Sequence, residues 1–203
     1  MNQLGPRLAR LMFGLVLFGI GLALMVVADL GLSPWDVLHQ GISIHTGIPI
    51  GTMVIITGFA VLLMWIPLKE RIGIGTVANA IVIGLVLDGM LLILPETLDH
   101  IALRWTAMLG GVAIVAIGSG FYIGAGLGPG PRDGLMTGLA RRGIPIAWNR
   151  AGIEITVLIA GWLLGGTVGV GTVVFAFGMG PLVQYFLKRL SVIPTSNLSL
   201  TYM

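Results

Sequence analysis

Long apolar runs without charged interruptions dominate this sequence and leave few choices of fold. Each is roughly 20 residues long, the length that a helix needs to cross ~30 Å of hydrocarbon. Only helices and closed barrels satisfy their backbone polar groups in lipid, and the runs lack the alternation of barrel strands. The sequence therefore predicts an all-α polytopic membrane protein, a single membrane domain over residues 1–203. We predict spans at 8–28, 51–68, 73–94, 105–125, 147–164 and 168–187.

The charged residues are few, and their positions predict an orientation. Only 9% of the residues are charged and the mean hydropathy is +1.02, whereas soluble domains carry about 25% charged residues. We therefore expect a lipid bilayer around the chain. With both termini in the cytoplasm, all of the 11 Lys and Arg residues except Arg104 lie on the cytoplasmic side, as the positive-inside rule requires. The basic balance thus indicates topology, and no nucleic-acid partner is predicted. Residues 191–203 are predicted to form a short polar tail.

Two segments of the chain share a pattern. Residues 28–38 and 125–135 both read Ala-x-Leu-Gly-x-x-Pro-x-Asp-x-Leu. Gly-Ile-Pro and Gly-x-Gly-Thr-Val then follow in the same order in both halves of the chain. Each unit, about 8–95 and about 104–190, contains three predicted spans. Because three is an odd number, the second unit is predicted to enter the membrane inverted, as in many secondary transporters.

The paired Leu-Gly-x-x-Pro-x-Asp and Gly-Ile-Pro segments, together with the size of the chain, resemble the YczE/YyaS/YitT-like family of bacterial integral membrane proteins. The resemblance covers nearly the whole chain, residues 13–190. It implies a multi-pass protein of the bacterial inner (plasma) membrane and implies no particular substrate. The second unit has Gly-Pro-Arg-Asp where the first has Ser-Pro-Trp-Asp, and this difference suggests that the two loops have different tasks.

Each unit also predicts a short helix after its first span. Ser33 is a favourable N-cap, Pro34 suits the first helical position, and Asp36 lies in the first turn, where a carboxylate offsets the positive helix end. Residues 130–133 repeat the pattern with a glycine cap. The two helices should end near Gly47 and Gly143. About three turns is too short to cross a bilayer, so each helix is predicted to be interfacial or re-entrant.

The carboxylates of these short helices, Asp36 and Asp133, allow two interpretations. Either they only cap helices, or they belong to a binding site or gate. Helix N-termini attract anions, but a carboxylate in the first turn favours a cation or a proton. Trp35 is interpreted as an interfacial anchor, with a stacking platform as the alternative.

Polar residues inside the predicted spans are the other candidates for a transport site. Asp88 lies ~22 Å from the inner end of its span and Glu154 ~10 Å from the inner surface. In the repeat, Asp88 corresponds to Gln184. Asp36 and Asp88 therefore lie toward the outside and Asp133, Glu154 and Gln184 toward the inside. Two such clusters would suit the two gates of an alternating-access protein.

A structural interpretation of the same residues stays open. Glu154 can pair with Arg150 one turn earlier, and Asp88 can cap nearby backbone. Arg132 is a candidate to neutralise a carboxylate on the inner side. Asn79 is interpreted mainly as a hydrogen-bonding residue between helices, with an accessory place at the site.

The chain lacks cysteine, a phosphate-binding loop with Lys-Ser/Thr, and any hydrolase motif. No enzymatic activity, cofactor or metal site is therefore predicted. The inverted repeat and the buried carboxylates favour a secondary transporter or exporter of a small solute, with proton coupling through Asp88 or Glu154 as one option. The alternative is a non-transport membrane factor, or a substrate-capturing subunit that acts with a partner protein. The glycine-rich helix faces also allow a homodimer.

Overall fold

The computed structural model describes residues 4–192, and these residues form eight α-helices. In chain order the helices are α1 (Leu4–Ala28), α2 (Pro34–Thr46), α3 (Ile50–Leu68), α4 (Ile74–Leu91), α5 (Ile101–Gly124), α6 (Pro131–Ala140), α7 (Ile146–Leu163) and α8 (Val170–Leu190). The all-helical prediction is confirmed for this part of the chain. Most of the predicted tail, residues 193–203, lies outside the described residues.

The long helices coincide with the predicted spans, and most of their ends differ by only a few residues. Five of them, α1, α3, α4, α5 and α8, are long and apolar enough to cross a membrane. Helix α7 has 18 residues but is not among these five. Its first half carries Asn149, Arg150 and Glu154, and these polar side chains lower its mean hydropathy.

The two short helices begin where the sequence indicates. Ser33 caps α2 by accepting a hydrogen bond from the backbone N–H of Asp36 at 3.3 Å. Helix α2 ends before Gly47, whose φ of 72° is the left-handed conformation that glycine tolerates. Helix α6 begins after Gly130 but ends at Ala140, earlier than the predicted Gly143, because its last turn tightens. Helix α2 packs against α3 and α7, and α6 against the same two helices.

Helices α1 and α5 cross at two pairs of glycines. A Cβ atom added to Gly14 would lie 2.6 Å from the carbonyl oxygen of Gly118, and one added to Gly21 would lie 2.7 Å from that of Gly111. The same distances hold in the opposite direction. These two backbones therefore touch directly, which only glycine permits at such a crossing.

Two arginines tie the ends of the same helices together. Arg7 donates from Nε to the carbonyl oxygen of Ala125 at 2.8 Å, and Arg104 donates from Nε to that of Ala28 at 2.7 Å. Each guanidinium thus lies near the start of one helix and binds carbonyl groups at the end of the other, where helices leave carbonyl groups without partners. Helices α1 and α5 therefore run antiparallel.

Other contacts between the two units are reciprocal as well. The N–H of Gly75 donates to Leu127 at 2.8 Å, and the N–H of Gly171 donates to Leu30 at 2.7 Å. Helix α1 packs against α4 as α5 packs against α8, and α2 packs against α7 as α3 packs against α6. One large interface lacks a counterpart among the described residues. Helix α3 packs closely against α4, but among the described residues α7 and α8 share no comparable interface.

Candidate functional site

A cavity of about 360 Å³ lies inside the bundle, and all eight helices contribute to its lining. The starts of α2 and α6 both face it. Its volume falls within the range of about 300–1,000 Å³ that is typical of small-molecule sites. The cavity brings together most of the residues predicted at a site: Trp35, Asn79, Arg132, Asp133, Glu154 and Gln184. Asp36 and Asp88 are not in its lining.

Asp36 lies behind the cavity wall, in a buried polar chain. Asp36 is 2% exposed, and its carboxylate accepts a hydrogen bond from the hydroxyl of Ser33. Its Oδ1 lies 3.1 Å from Nδ1 of His39, and Nε2 of His39 lies 2.7 Å from Oγ1 of Thr57. Asp36 therefore holds the capping residue Ser33 and, through His39, links α2 to α3. His39 is not among the predicted site residues, although its spacing of three residues from Asp36 on a helix is a signal for such a pair.

Trp35 and Arg132 lie together at the starts of the two short helices. The guanidinium carbon of Arg132 lies 4.9 Å from the centre of the Trp35 ring, a cation–π contact. Arg132 also lies 3.9 Å from Oδ1 of Asp36, beyond hydrogen-bonding distance. Trp35 is only 8% exposed. Its predicted place as an interfacial anchor is therefore wrong, because the ring is enclosed by protein and stacks against Arg132.

Asp133 faces the cavity from the first turn of α6. Its Oδ2 accepts a hydrogen bond from the hydroxyl of Tyr122 at 2.9 Å. A Cβ atom on Gly130 would lie 3.2 Å from both Oδ2 of Asp133 and Oδ1 of Asn79. A side chain at residue 130 would therefore require these two polar side chains to shift slightly. Among the described residues Arg132 forms no ion pair with the adjacent Asp133 and lies instead 3.9 Å from Asp36 of the other unit.

The cavity reaches the surface between α7 and α8. Arg150 and Glu154 line it from α7 and form an ion pair at 2.9 Å. Gln184 and Lys188 line it from α8, and both are exposed. Because α7 and α8 share no comparable interface in the described part of the chain, these four polar side chains form a mouth. We call this group the α7–α8 mouth.

Asp88 lies outside the cavity, at the interface of α3 and α4. It accepts hydrogen bonds from the N–H of Gly51 at 2.6 Å and from the hydroxyl of Thr52 at 2.8 Å. A side chain at Gly84 would collide with the carbonyl oxygen of Gly51. Asp88 therefore caps the start of α3 from α4 and closes this interface, whereas its counterpart in the repeat, Gln184, lies at the open mouth.

Replacing Asp88 by asparagine should lower the free energy of unfolding by about 1–2 kcal/mol, because the two hydrogen bonds that its carboxyl group accepts are weakened. Detergent-denaturant titration of the purified protein measures the change. Asp99→Asn is the matched control, since Asp99 is exposed and forms no described contact. An equal loss in both variants would contradict the capping role.

Comparison with known proteins shows where the chain belongs. Residues 5–188 match the model of the Family of unknown function (DUF6198). The chain belongs to this family. It is 44% identical over 186 residues to an uncharacterized protein of Haemophilus influenzae, covering 91% of this chain and 84% of that relative.

The chain also matches two proteins of Bacillus subtilis. The chain is 35% identical to the uncharacterized membrane protein YczE, covering 87% of this chain and 83% of YczE. It is 25% identical to the uncharacterized protein YyaS, covering 86% of this chain and 89% of YyaS. No solved structure matches the chain. The resemblance inferred from the paired motifs is confirmed, and the five apolar helices of this family member fit a multi-pass membrane protein in a lipid bilayer.

Proposed function

We propose that the protein is a secondary transporter of a small solute that works by alternating access. The observation that carries this proposal is an asymmetry around the cavity. On one side of the bundle α3 and α4 are in direct contact: the backbones of Gly51 and Gly84 touch, and Asp88 accepts a hydrogen bond from Gly51. On the other side their counterparts in the repeat, α7 and α8, are parted and the cavity is open. Two related units in different arrangements are what a transporter with inward-open and outward-open states requires.

The proposal includes six spans arranged as two inverted repeats. The antiparallel contacts of Arg7 with Ala125 and of Arg104 with Ala28 support an inverted relation of the units. Helix α7 packs against α2 as α3 packs against α6, which supports a spanning position for α7. The ion pair between Arg150 and Glu154 lowers the cost of placing these charges in a span.

In this arrangement the α7–α8 mouth faces the cytoplasm. Helix α7 begins and α8 ends on the side that carries most of the Lys and Arg residues, which the positive-inside rule places in the cytoplasm of a bacterial inner membrane. The structure then represents an inward-open state. In the outward-open state α3 and α4 would separate, and α8 would close on α7 with Gln184 near residue 147, as Asp88 now lies near Gly51.

Because the chain has no cysteine, a single introduced thiol tests this mouth. We expect Gln184→Cys to react with a membrane-impermeant maleimide in inside-out vesicles, on the order of tenfold or more faster than Leu85→Cys, since thiol reactivity follows access to water. Leu85 is 60% exposed on α4 and does not line the cavity, so its thiol should face lipid. Equal rates for the two variants, or faster labelling of Gln184→Cys in right-side-out vesicles, would overturn the proposed mouth.

A second arm of the same experiment tests whether the mouth closes. In the variant with cysteines at both Ala147 and Gln184, we expect a disulfide to accumulate under mild oxidation, because closure brings these positions together. If no disulfide forms while Gln184→Cys labels rapidly, the cavity is permanently open and alternating access is wrong.

The second candidate function is that of a substrate-capturing subunit. Exposed tryptophans on α7 favour it. Trp148 and Trp162 of this helix are 75% and 62% exposed. A partner protein seated between α7 and α8 would cover the mouth. Co-purification of a second protein in stoichiometric amount would favour this function over transport by the chain alone. Neither candidate assigns a catalytic role to the cavity residues.

A further inference from the structure

Two side chains that line the cavity have hydrogen-bond donors without acceptors among the described residues. The indole Nε1 of Trp35 is buried and has no hydrogen-bond partner among the described residues. Arg132 donates no hydrogen bond within the same part of the chain, and its one ion pair is the 3.9 Å contact with Asp36. A buried donor without a partner costs about 1–3 kcal/mol. A ligand that supplies acceptors at this point would therefore be stabilised.

The carboxylates around the cavity are already engaged. Asp36 lies against Ser33 and His39, Asp133 accepts from Tyr122, and Glu154 is paired with Arg150. A cationic ligand would have to compete with these partners. An anionic ligand meets the free donors of Arg132 and Trp35 and, at the mouth, the ammonium group of Lys188, for which the described residues supply no carboxylate partner.

The start of α6 adds backbone N–H donors to the cavity wall, while the carboxylate of Asp133 in the same turn, which accepts from Tyr122, offsets part of their positive charge. Helix α6 has ten residues and no side-chain cap on its first turn, because residue 130 is glycine. Its first backbone N–H groups carry the partial positive charge of a helix N-terminus. The start of α2 lies in the same cavity wall. The start of α6 and the Ser33-capped start of α2 meet where Arg132 lies over the ring of Trp35, and the buried indole N–H without an acceptor is an independent indication of a hydrogen-bonding site there.

Most of the remaining lining is apolar. Phe18, Ile83, Ile123, Phe175 and Met179 line the cavity beside the polar groups. A fully hydrated inorganic ion would leave this surface unused, whereas an apolar body of one ring or a short chain would be buried against it. The site therefore combines one cationic and hydrogen-bonding end with an apolar chamber.

We infer that the substrate of the proposed transporter is a small organic anion, whose acidic group binds Arg132 and the indole N–H of Trp35 and whose apolar body fills the chamber. This inference rests on the proposed function, because it names the solute class for the same cavity.

Matched probes with one body and different head groups test the inference. Phenylacetate is compared with 2-phenylethylamine and 2-phenylethanol, and hexanoate with hexylamine and hexanol, at neutral pH. Binding is measured from the stabilisation of the purified protein against thermal unfolding. We expect each anion to bind at least about tenfold more tightly than its amine or alcohol, the ratio expected for one hydrogen bond to a charged group.

Two conservative variants locate the site. Arg132→Gln should raise the dissociation constant of phenylacetate about tenfold or more, and Trp35→Phe, which keeps a ring but removes the N–H, about threefold to tenfold. Arg71→Gln is the control, because Arg71 is exposed and does not line the cavity. The stability of each variant without ligand is measured in parallel, so that misfolding is recognised as such.

The outcomes separate this inference from the proposed function. Tighter binding of the amines, or no binding of either anion, overturns the organic anion while the thiol-labelling test still decides on the mouth and its closure. Anion binding that is unchanged in Arg132→Gln and Trp35→Phe also overturns it, because the acidic group then binds elsewhere. If the anions bind as expected but the mouth never closes, the anion site is confirmed and the protein is a substrate-capturing subunit rather than a transporter.

Discussion

Replacing Gly111 by leucine should lower the free energy of unfolding by at least about 3 kcal/mol, because overpacking at a rigid backbone contact is not relieved by rotamer changes. A Cβ atom at this position would lie 2.7 Å from the carbonyl oxygen of Gly21 and 2.9 Å from Cγ of Met25. The oxygen belongs to α1, which is held at both ends by the arginine contacts. Leucine would therefore force α1 and α5 apart along their whole crossing.

The adjacent residue is the control for this experiment. A Cβ atom on Gly110 meets nothing within 4 Å, so Gly110→Leu adds the same side chain to the same helix without a collision. It should leave stability unchanged or raise it by up to about 1 kcal/mol, since glycine is a poor helix former. Titration of both variants with a denaturing detergent measures the difference. Similar losses at the two positions would show that α1 and α5 do not touch at Gly111.

Local signals predicted the helices well because each depends on only a few neighbouring residues. Ser33 and Pro34 define the start of α2 through a cap and a fixed backbone angle, which require no tertiary information. The end of α6 was placed three residues too late, because Gly143 follows a tightened turn rather than the helix itself. For helix α7 hydropathy and packing disagree. Its polar residues lower its mean hydropathy, but its packing against α2 and α6 places it within the helix bundle.

Only some of the predicted site residues face the cavity. The position of a residue along a helix can be counted from the sequence, but the neighbour that its side chain faces cannot. Asp133 and Glu154 face the cavity, but Asp88 faces the start of α3 and forms a cap. Its counterpart Gln184 lines the mouth, and this difference is not visible in the repeat. The deciding neighbour is Thr52, whose hydroxyl binds Asp88, whereas the corresponding residue of α7 is a tryptophan.

The buried ring of Trp65 leads to the other large expected effect. Trp65 is 1% exposed, donates from Nε1 to the carbonyl oxygen of Pro131 at 3.0 Å, and lies directly against Gly134. It thereby fixes α6 to α3 immediately before Arg132. Trp65→Ala should lower the free energy of unfolding by about 3–5 kcal/mol, because it leaves a large cavity at this interface. Detergent-denaturant titration measures the loss.

One further variant separates packing from hydrogen bonding at this interface, and a substitution of an exposed tryptophan of α7 is the control. Trp65→Phe keeps much of the ring but leaves the Pro131 carbonyl without its donor, and it should cost about 1–3 kcal/mol. Trp162→Ala should cost less than about 1 kcal/mol, because Trp162 is 62% exposed and fills no packed interface. A loss in Trp65→Ala no larger than that in Trp162→Ala would mean that Trp65 does not hold α6. The position of Arg132 at the cavity would then need another support, since α6 reaches the cavity from the same turn that Trp65 binds.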